Sequence, residues 1–186
     1  ASLSYRFDAL GRQSGETAKN GPKPRYERTL YYFAGAAANS TGTRVDADSV
    51  EGSNWSDYWQ YTYDANGNVT RIDRNCGFDE YDYVYDDLNQ LIRANSNGYW
   101  YTYTYDDGGN ILTQTKSGEF PTETITYTYG ADAWQDLLTG YGGETFTYDE
   151  IGNPLTWRNG MTFTWQNGRQ LQSAVVGNQS LSFAYN

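Results

Sequence analysis

The sequence predicts an all-β protein, built of tandem β-hairpins that add side by side into a coiled, spiral antiparallel sheet. Three observations predict it. Of the 186 residues, 19 are Tyr, 7 are Phe and 6 are Trp, against a single Met; aromatic side chains suit a pleated, half-buried surface better than a helix. Short segments alternate strictly, with Tyr101, Tyr103 and Tyr105 opposed to Thr102 and Thr104, and Ile125, Tyr127 and Tyr129 opposed to Thr124, Thr126 and Thr128. That alternation gives a strand one packed and one wetter face. Such segments recur at a period of roughly twenty residues, each ending in a turn signal.

The elements follow in chain order. Tyr5-Arg6-Phe7-Asp8-Ala9-Leu10-Gly11 is the first strand and turn. From Gln13 to Gln60 the pattern departs. Gly21-Pro22-Lys23-Pro24 reads as a loop, Tyr31-Tyr32-Phe33 as a degenerate copy anchored on Phe33, and residues 34–42 as an extended hairpin tip with which a short helix competes weakly. The Asn54–Tyr61 stretch reads as irregular. Clear copies resume at Tyr61-Thr62-Tyr63-Asp64-Ala65-Asn66-Gly67, Tyr83-Val84-Tyr85-Asp86 and Tyr103-Thr104-Tyr105-Asp106-Asp107-Gly108-Gly109. Tyr127-Thr128-Tyr129 keeps the strand but lacks the Asp, and residues 132–138 read as one helical turn. Phe146-Thr147-Tyr148-Asp149-Glu150-Ile151-Gly152 and Phe163-Thr164-Trp165-Gln166-Asn167-Gly168 follow, and Phe183-Ala184-Tyr185 opens a last copy. The expected organisation is one array over 1–186, with repeats near 1–30, 31–60, 61–80, 81–100, 101–123, 124–145, 146–160 and 161–180, the last copy truncated at 186.

Each copy has a mechanical reading. The Asp accepts from backbone N–H groups ahead of it, as at the first position of a type I turn. The Gly three residues on supplies a left-handed conformation, as a bulged hairpin requires. Val69, Leu91, Ile111, Leu155 and Leu171 then open the returning strands.

Charge and composition exclude several functions. The formal net charge of −10 repels phosphate backbones and anionic membranes, so neither nucleic-acid binding nor membrane insertion is expected. No apolar run reaches the roughly 18 residues a membrane helix needs. The chain has no His, which removes Ser-His and Cys-His catalysis and most zinc chemistry. Cys76 has no base to activate it and no intrachain disulfide partner. Asp79/Glu80, Asp86/Asp87, Asp106/Asp107 and Asp149/Glu150 are carboxylate pairs of a kind glycosidases use, but three of the four belong to the recurring turn, so structure accounts for them better. Asp64-Ala65-Asn66-Gly67-Asn68 superficially looks like a calcium loop but lacks the twelfth-position ligand. No enzyme, metal or cofactor is expected. Trp55, Tyr58 and Trp59, with Tyr99 and Trp100, stand apart from the ladder as candidate ligand-facing aromatics, suited to stacking on sugars.

These units resemble the YD-repeat, or Rhs-repeat, family, and the resemblance covers essentially the whole chain. Relatives in that family include bacterial Rhs and wall-associated polymorphic toxins, the C component of insecticidal toxin complexes, and animal teneurins. It implies an open fragment of a β-hairpin shell that encloses a C-terminal toxin or extends from a cell surface, with the rest of a parent chain as principal partner and a secreted or surface location. Nothing after Trp165 resembles the Asp/Gly/Arg-rich core motif that usually closes bacterial shells. The function expected is that of a non-enzymatic structural scaffold segment; the alternative is a carbohydrate- or protein-binding module. Open sheet ends would also favour edge-strand self-association.

Overall fold

The computed structural model of the protein describes residues 1–35, 41–75, 77, 79–96, 98–118, 121–130 and 134–185. Within each of its two sheets every strand is hydrogen-bonded to the next in sequence, and the chain divides into two compact units, Ala1–Trp100 and Tyr101–Asn186.

The first unit holds β1 (Ser2–Phe7), β2 (Gln13–Asn20), β3 (Lys23–Ala34), β4 (Thr41–Gly52), β5 (Ser56–Tyr63), β6 (Val69–Arg74), β7 (Asp79–Tyr85) and β8 (Leu91–Ser96), hydrogen-bonded in that order. Strand β9 (Tyr99–Tyr105) begins in it and runs into the second unit. There β10 (Ile111–Ser117), β11 (Glu123–Tyr129), β12 (Leu138–Tyr141) and β13 (Glu144–Thr145) continue the pattern. A separate four-stranded sheet holds β14 (Thr156–Trp157), β15 (Met161–Gln166), β16 (Gln170–Val176) and β17 (Gln179–Ser182). The all-β, antiparallel class read from the sequence is the class observed.

Register confirms the two faces. Tyr61 pairs with Ile72, which pairs with Tyr81, so these rings share one face of three strands. Thr113 pairs with Thr126 on the opposite, hydroxyl-bearing face, and cross-strand pairs there bond directly: Thr104 with Thr113 at 2.6 Å and Thr115 with Thr124 at 3.0 Å.

Neither unit has a deep core. Among the described residues, the buried apolar side chains are Ala47, Ala94 and Phe146; the tyrosine rings are mostly half-buried. Cross-strand pairs worth about 0.2–1 kcal/mol each therefore do much of the stabilising. Polar links between strands matter correspondingly more.

The turns follow the expected chemistry. Asp64 N–H bonds Asn68 O at 3.0 Å, while Asp64 Oδ1 accepts from the N–H groups of Gly67 and Asn68 at 2.8 Å each. Asp8, Asp86, Asp106 and Asp149 repeat the plan, each Oδ1 accepting from the residues two and four ahead. The residue three after the Asp is left-handed every time; four copies use Gly, and Asn89 takes φ 62° in the fifth. A bulge follows the turn on the returning strand, at Thr70 opposite Thr62 and Tyr63 and at Ile92 opposite Val84 and Tyr85.

Several expectations need correction. The supposed loop at 21–24 is only the Gly21-Pro22 corner, since Asn20 pairs with Lys23 and both Lys23 and Pro24 lie in β3. Among its described residues the stretch Gln13–Gln60 is mostly sheet, with twelve-residue strands β3 and β4. Its weak alternation hid the strands, because Glu16, Arg28 and Asp48 stand on the face that carries rings elsewhere. Tyr58 and Trp59 are likewise in β5, not in irregular chain. Trp134–Leu137 is a turn rather than a helix, closed by Leu137 N–H to Trp134 O at 3.1 Å; residues 131–133 lie outside the described residues, as do Cys76 and most of the 34–42 tip. The copy at Phe146 is not a full hairpin: Tyr148 and Pro154 form an isolated bridge.

Candidate functional site

The sequence assigned the tyrosines to packing. The structure gives the last one of each lead strand a second task. Tyr85 Oη donates to Val69 O at 3.0 Å, across two hairpins. The ladder between β6 and β7 closes at Arg71 and Asp82; Tyr85 stands three residues beyond Asp82, and Val69 two before Arg71. Where the backbones splay apart at the bulge, the phenol bridges the gap that an N–H would otherwise fill.

The same offset recurs along both units. Tyr32 donates to Gln13 O at 2.8 Å, Tyr63 to Val45 O at 2.8 Å, Tyr129 to Ile111 O at 2.9 Å and Tyr148 to Leu138 O at 2.6 Å. Trp165 substitutes an indole N–H, reaching Pro154 O at 2.7 Å, and Tyr185 reaches Leu171 O at 3.0 Å. Each stands three residues past the last ladder pair of its strand. In the irregular second copy the rung belongs to Tyr32, not to Phe33, because the β3–β4 register shifts there.

The sequence held a signal for this. The position before the turn is Tyr or Trp in every later copy, whereas the position two earlier admits Phe at Phe146, Phe163 and Phe183. Only the first position needs a donor. Phe7 is the exception; it lies on β1, 63% exposed.

Successive turns are also tied together. Asn89 Oδ1 accepts from Asn66 Nδ2 at 2.9 Å and Asn68 Nδ2 at 2.7 Å. Asn153 Nδ2 donates both to its own Asp149 at 2.7 Å and to Gly168 O of the next turn at 2.7 Å. Arginines make parallel links: Arg12 to Gly42 O, and Arg169 to Ile151 O at 2.9 Å.

The aromatics proposed to face a ligand are placed as follows. Trp59 stacks with Tyr81 at 6.3 Å on one side and carries the Arg74 guanidinium at 4.9 Å. Arg74 is itself held by Asp57 and Asp79. Trp100 carries Arg93 at 3.7 Å. Tyr58 N–H bonds Asn75 Oδ1 at 2.9 Å, and Tyr99 opens β9. Trp55 lies over Gly52 at the β4–β5 corner and remains 55% exposed. The structure does not gather these five into one site. Of the carboxylate pairs, Asp79 and Glu80 are taken by Arg74 and Arg71, and the turn aspartates by backbone N–H groups.

Two sets of groups titrate away from their ordinary values. Hydrogen bonds from Asn68, Asn110 and Arg12 hold Asp64, Asp106 and Asp8 below 3.8. Burial pushes Tyr61, Tyr63, Tyr83, Tyr85 and Tyr129 above 10.0. The aspartates bind protons less well when folded. Their stabilisation is complete above the unfolded value and is lost as pH falls through the lowered one. The tyrosines bind protons better when folded, so their stabilisation is complete below 10.0 and is lost as pH rises through the raised values. Urea unfolding followed across pH should give a plateau from about pH 5 to 9 that falls away on both sides. Stability rising below pH 4 would contradict the turn assignment.

The fold defines a class: single-layer sheets of β-hairpins laced edge to edge by aromatic donors. Solved structures share the fold. One is the Photorhabdus luminescens Tc holotoxin pore carrying the mutation TccC3-D651A, with a TM-score of 0.73 at 20% identity over 95% of this chain. Another is the TcdB2-TccC3-TEV crystal structure, with a TM-score of 0.63 at 17% identity over 95% of this chain. The chain spans 10% and 11% of those longer chains. No family model matches the sequence, and no curated protein does.

Proposed function

We propose that the protein is a non-enzymatic wall segment of a YD-repeat shell, of the kind found in Rhs and insecticidal-toxin proteins, secreted or displayed at a cell surface. One observation carries this: the hydroxyl-to-carbonyl rung, repeated from hairpin to hairpin, makes each unit depend on its neighbours and lets the sheet be extended indefinitely. The likeness to Tc toxin components supports the same reading. The side-chain chemistry also agrees with it, since the turn aspartates are committed to backbone N–H groups and most arginines of the first unit to cross-strand or turn carboxylates. The parent chain is then the principal partner, and an enclosed C-terminal toxin is the cargo such a wall would serve.

Electron microscopy of the natural full-length protein tests this. A hollow particle with this segment in its wall is the expected result. A solid particle, or this segment folded apart from any further hairpins, would overturn the reading.

A further inference from the structure

Most arginines of the first unit are neutralised. Arg6 pairs with Glu27, Arg12 with Asp8, Arg28 with Asp48, Arg71 with Glu80 and Asp82, and Arg74 with Asp57 and Asp79. Arg44 differs. Among the described residues Arg44, like Arg25 and Arg93, has no carboxylate partner. It contacts Asp64 O, at 3.3 Å from Nη1, and the ring of Tyr63, with the guanidinium carbon 5.5 Å from the ring centroid, and its guanidinium also lies against Gly67.

Arg44 also lines a groove. The space, about 430 Å³, lies between Phe33, Gly42, Thr43 and Arg44 on one side and Thr62 and Tyr63 on the other. Phe33 and Tyr63 meet edge to face, 5.9 Å apart and inclined by 73°. Thr62 and Tyr63 face the bulge, where Thr70 is the extra residue on β6. That volume suits one small ligand. No lining residue is acidic, although the chain carries a net charge of −10. Asp64 contributes only its carbonyl, because its carboxylate is turned into its own turn. Asp46 acts on the Tyr63 hydroxyl but does not line the groove.

We infer that this groove binds a small ring-bearing carboxylate. The guanidinium fork would take the carboxylate in a two-point contact. The Phe33 and Tyr63 rings would pack against the ligand ring, with the Thr43 and Thr62 hydroxyls at its rim. A sugar acid and an aromatic acid share this chemistry. The site is independent of the scaffold reading and includes none of the five aromatics that the sequence offers as ligand-facing.

Titration of the isotope-labelled protein by NMR tests it, with sodium glucuronate, sodium benzoate and glucose as separate probes. Saturable shifts at Gly42, Thr43, Thr62 and Tyr63 are expected with at least one acid, and whichever acid binds tighter identifies the source. Arg44→Gln should weaken that binding by about tenfold, the equivalent of one lost charge-assisted contact. Its dispersed spectrum would show that the fold survives. Arg44→Lys, which keeps the charge but loses the fork, should weaken binding several-fold and serves if Arg44→Gln does not fold. Failure of both acids to saturate overturns the inference. So does equal affinity for glucose and glucuronate, or affinity unchanged in both Arg44 variants.

Discussion

Gly152→Ala should destabilise the second unit by about 3 kcal/mol, more than any substitution of a surface residue there. Two costs combine. Gly152 sits at φ +83°, a conformation costing an L-residue about 1–2 kcal/mol. A methyl group there would also lie 2.0 Å from Cζ3 and 2.7 Å from Cη2 of Trp134, so the indole must leave its seat over the turn. Gly168→Ala separates the two effects. It has the same φ of +83° with nothing within 4 Å of an added methyl, so only about 1 kcal/mol is expected. Urea unfolding of both variants, read by tryptophan fluorescence, gives the comparison. Trp134→Ala in the Gly152→Ala background should recover the steric part, and equal losses at Gly152 and Gly168 would contradict the packing of Trp134.

Arg28→Met should cost about 3 kcal/mol in the first unit. Arg28 on β3 donates to both oxygens of Asp48 on β4, at distances from 2.6 to 3.0 Å. The exposures are unequal: Asp48 has 7% of its side chain exposed, and Arg28 39%. Removing the arginine strands a buried carboxylate. Removing the acid leaves a guanidinium that water already reaches, so Asp48→Ala should cost only about 1 kcal/mol. The double variant with Met at 28 and Leu at 48 should recover most of the larger loss. Equal costs for the two single variants would show that the pair is solvated after all.

These predictions show which parts of the molecule its sequence discloses. Hairpin identity is local, so it was legible. Asp64, Gly67 and Tyr63 each declare a turn or a strand without reference to anything distant. The β2–β4 region was not legible, because Glu16, Arg28 and Asp48 stand on the face where other strands carry rings and Glu27 stands on the other, and these charges are tolerated through partners found only in three dimensions. Arg6 reaching Glu27 across β2 is an example. The rungs lie between. Which residue donates can be read from the Tyr-or-Trp preference before each turn. The acceptor is a backbone carbonyl, so its side chain is free to vary, as Gln13, Val45, Val69, Ile111 and Pro154 show. The Arg44 groove was equally hidden, since it depends on Phe33, Arg44 and Tyr63 being brought together from β3, β4 and β5.

The claim that donors before the turns join hairpin to hairpin is tested most directly by removing single hydroxyl groups. Tyr63→Phe, Tyr85→Phe and Tyr129→Phe should each lower the free energy of unfolding by about 1 kcal/mol. Tyr61→Phe and Tyr83→Phe, which alter rings on the same face that carry no rung, should stay within about 0.5 kcal/mol of the parent. If the two groups of variants are indistinguishable, the tyrosines hold the sheet by packing alone and the rungs contribute nothing.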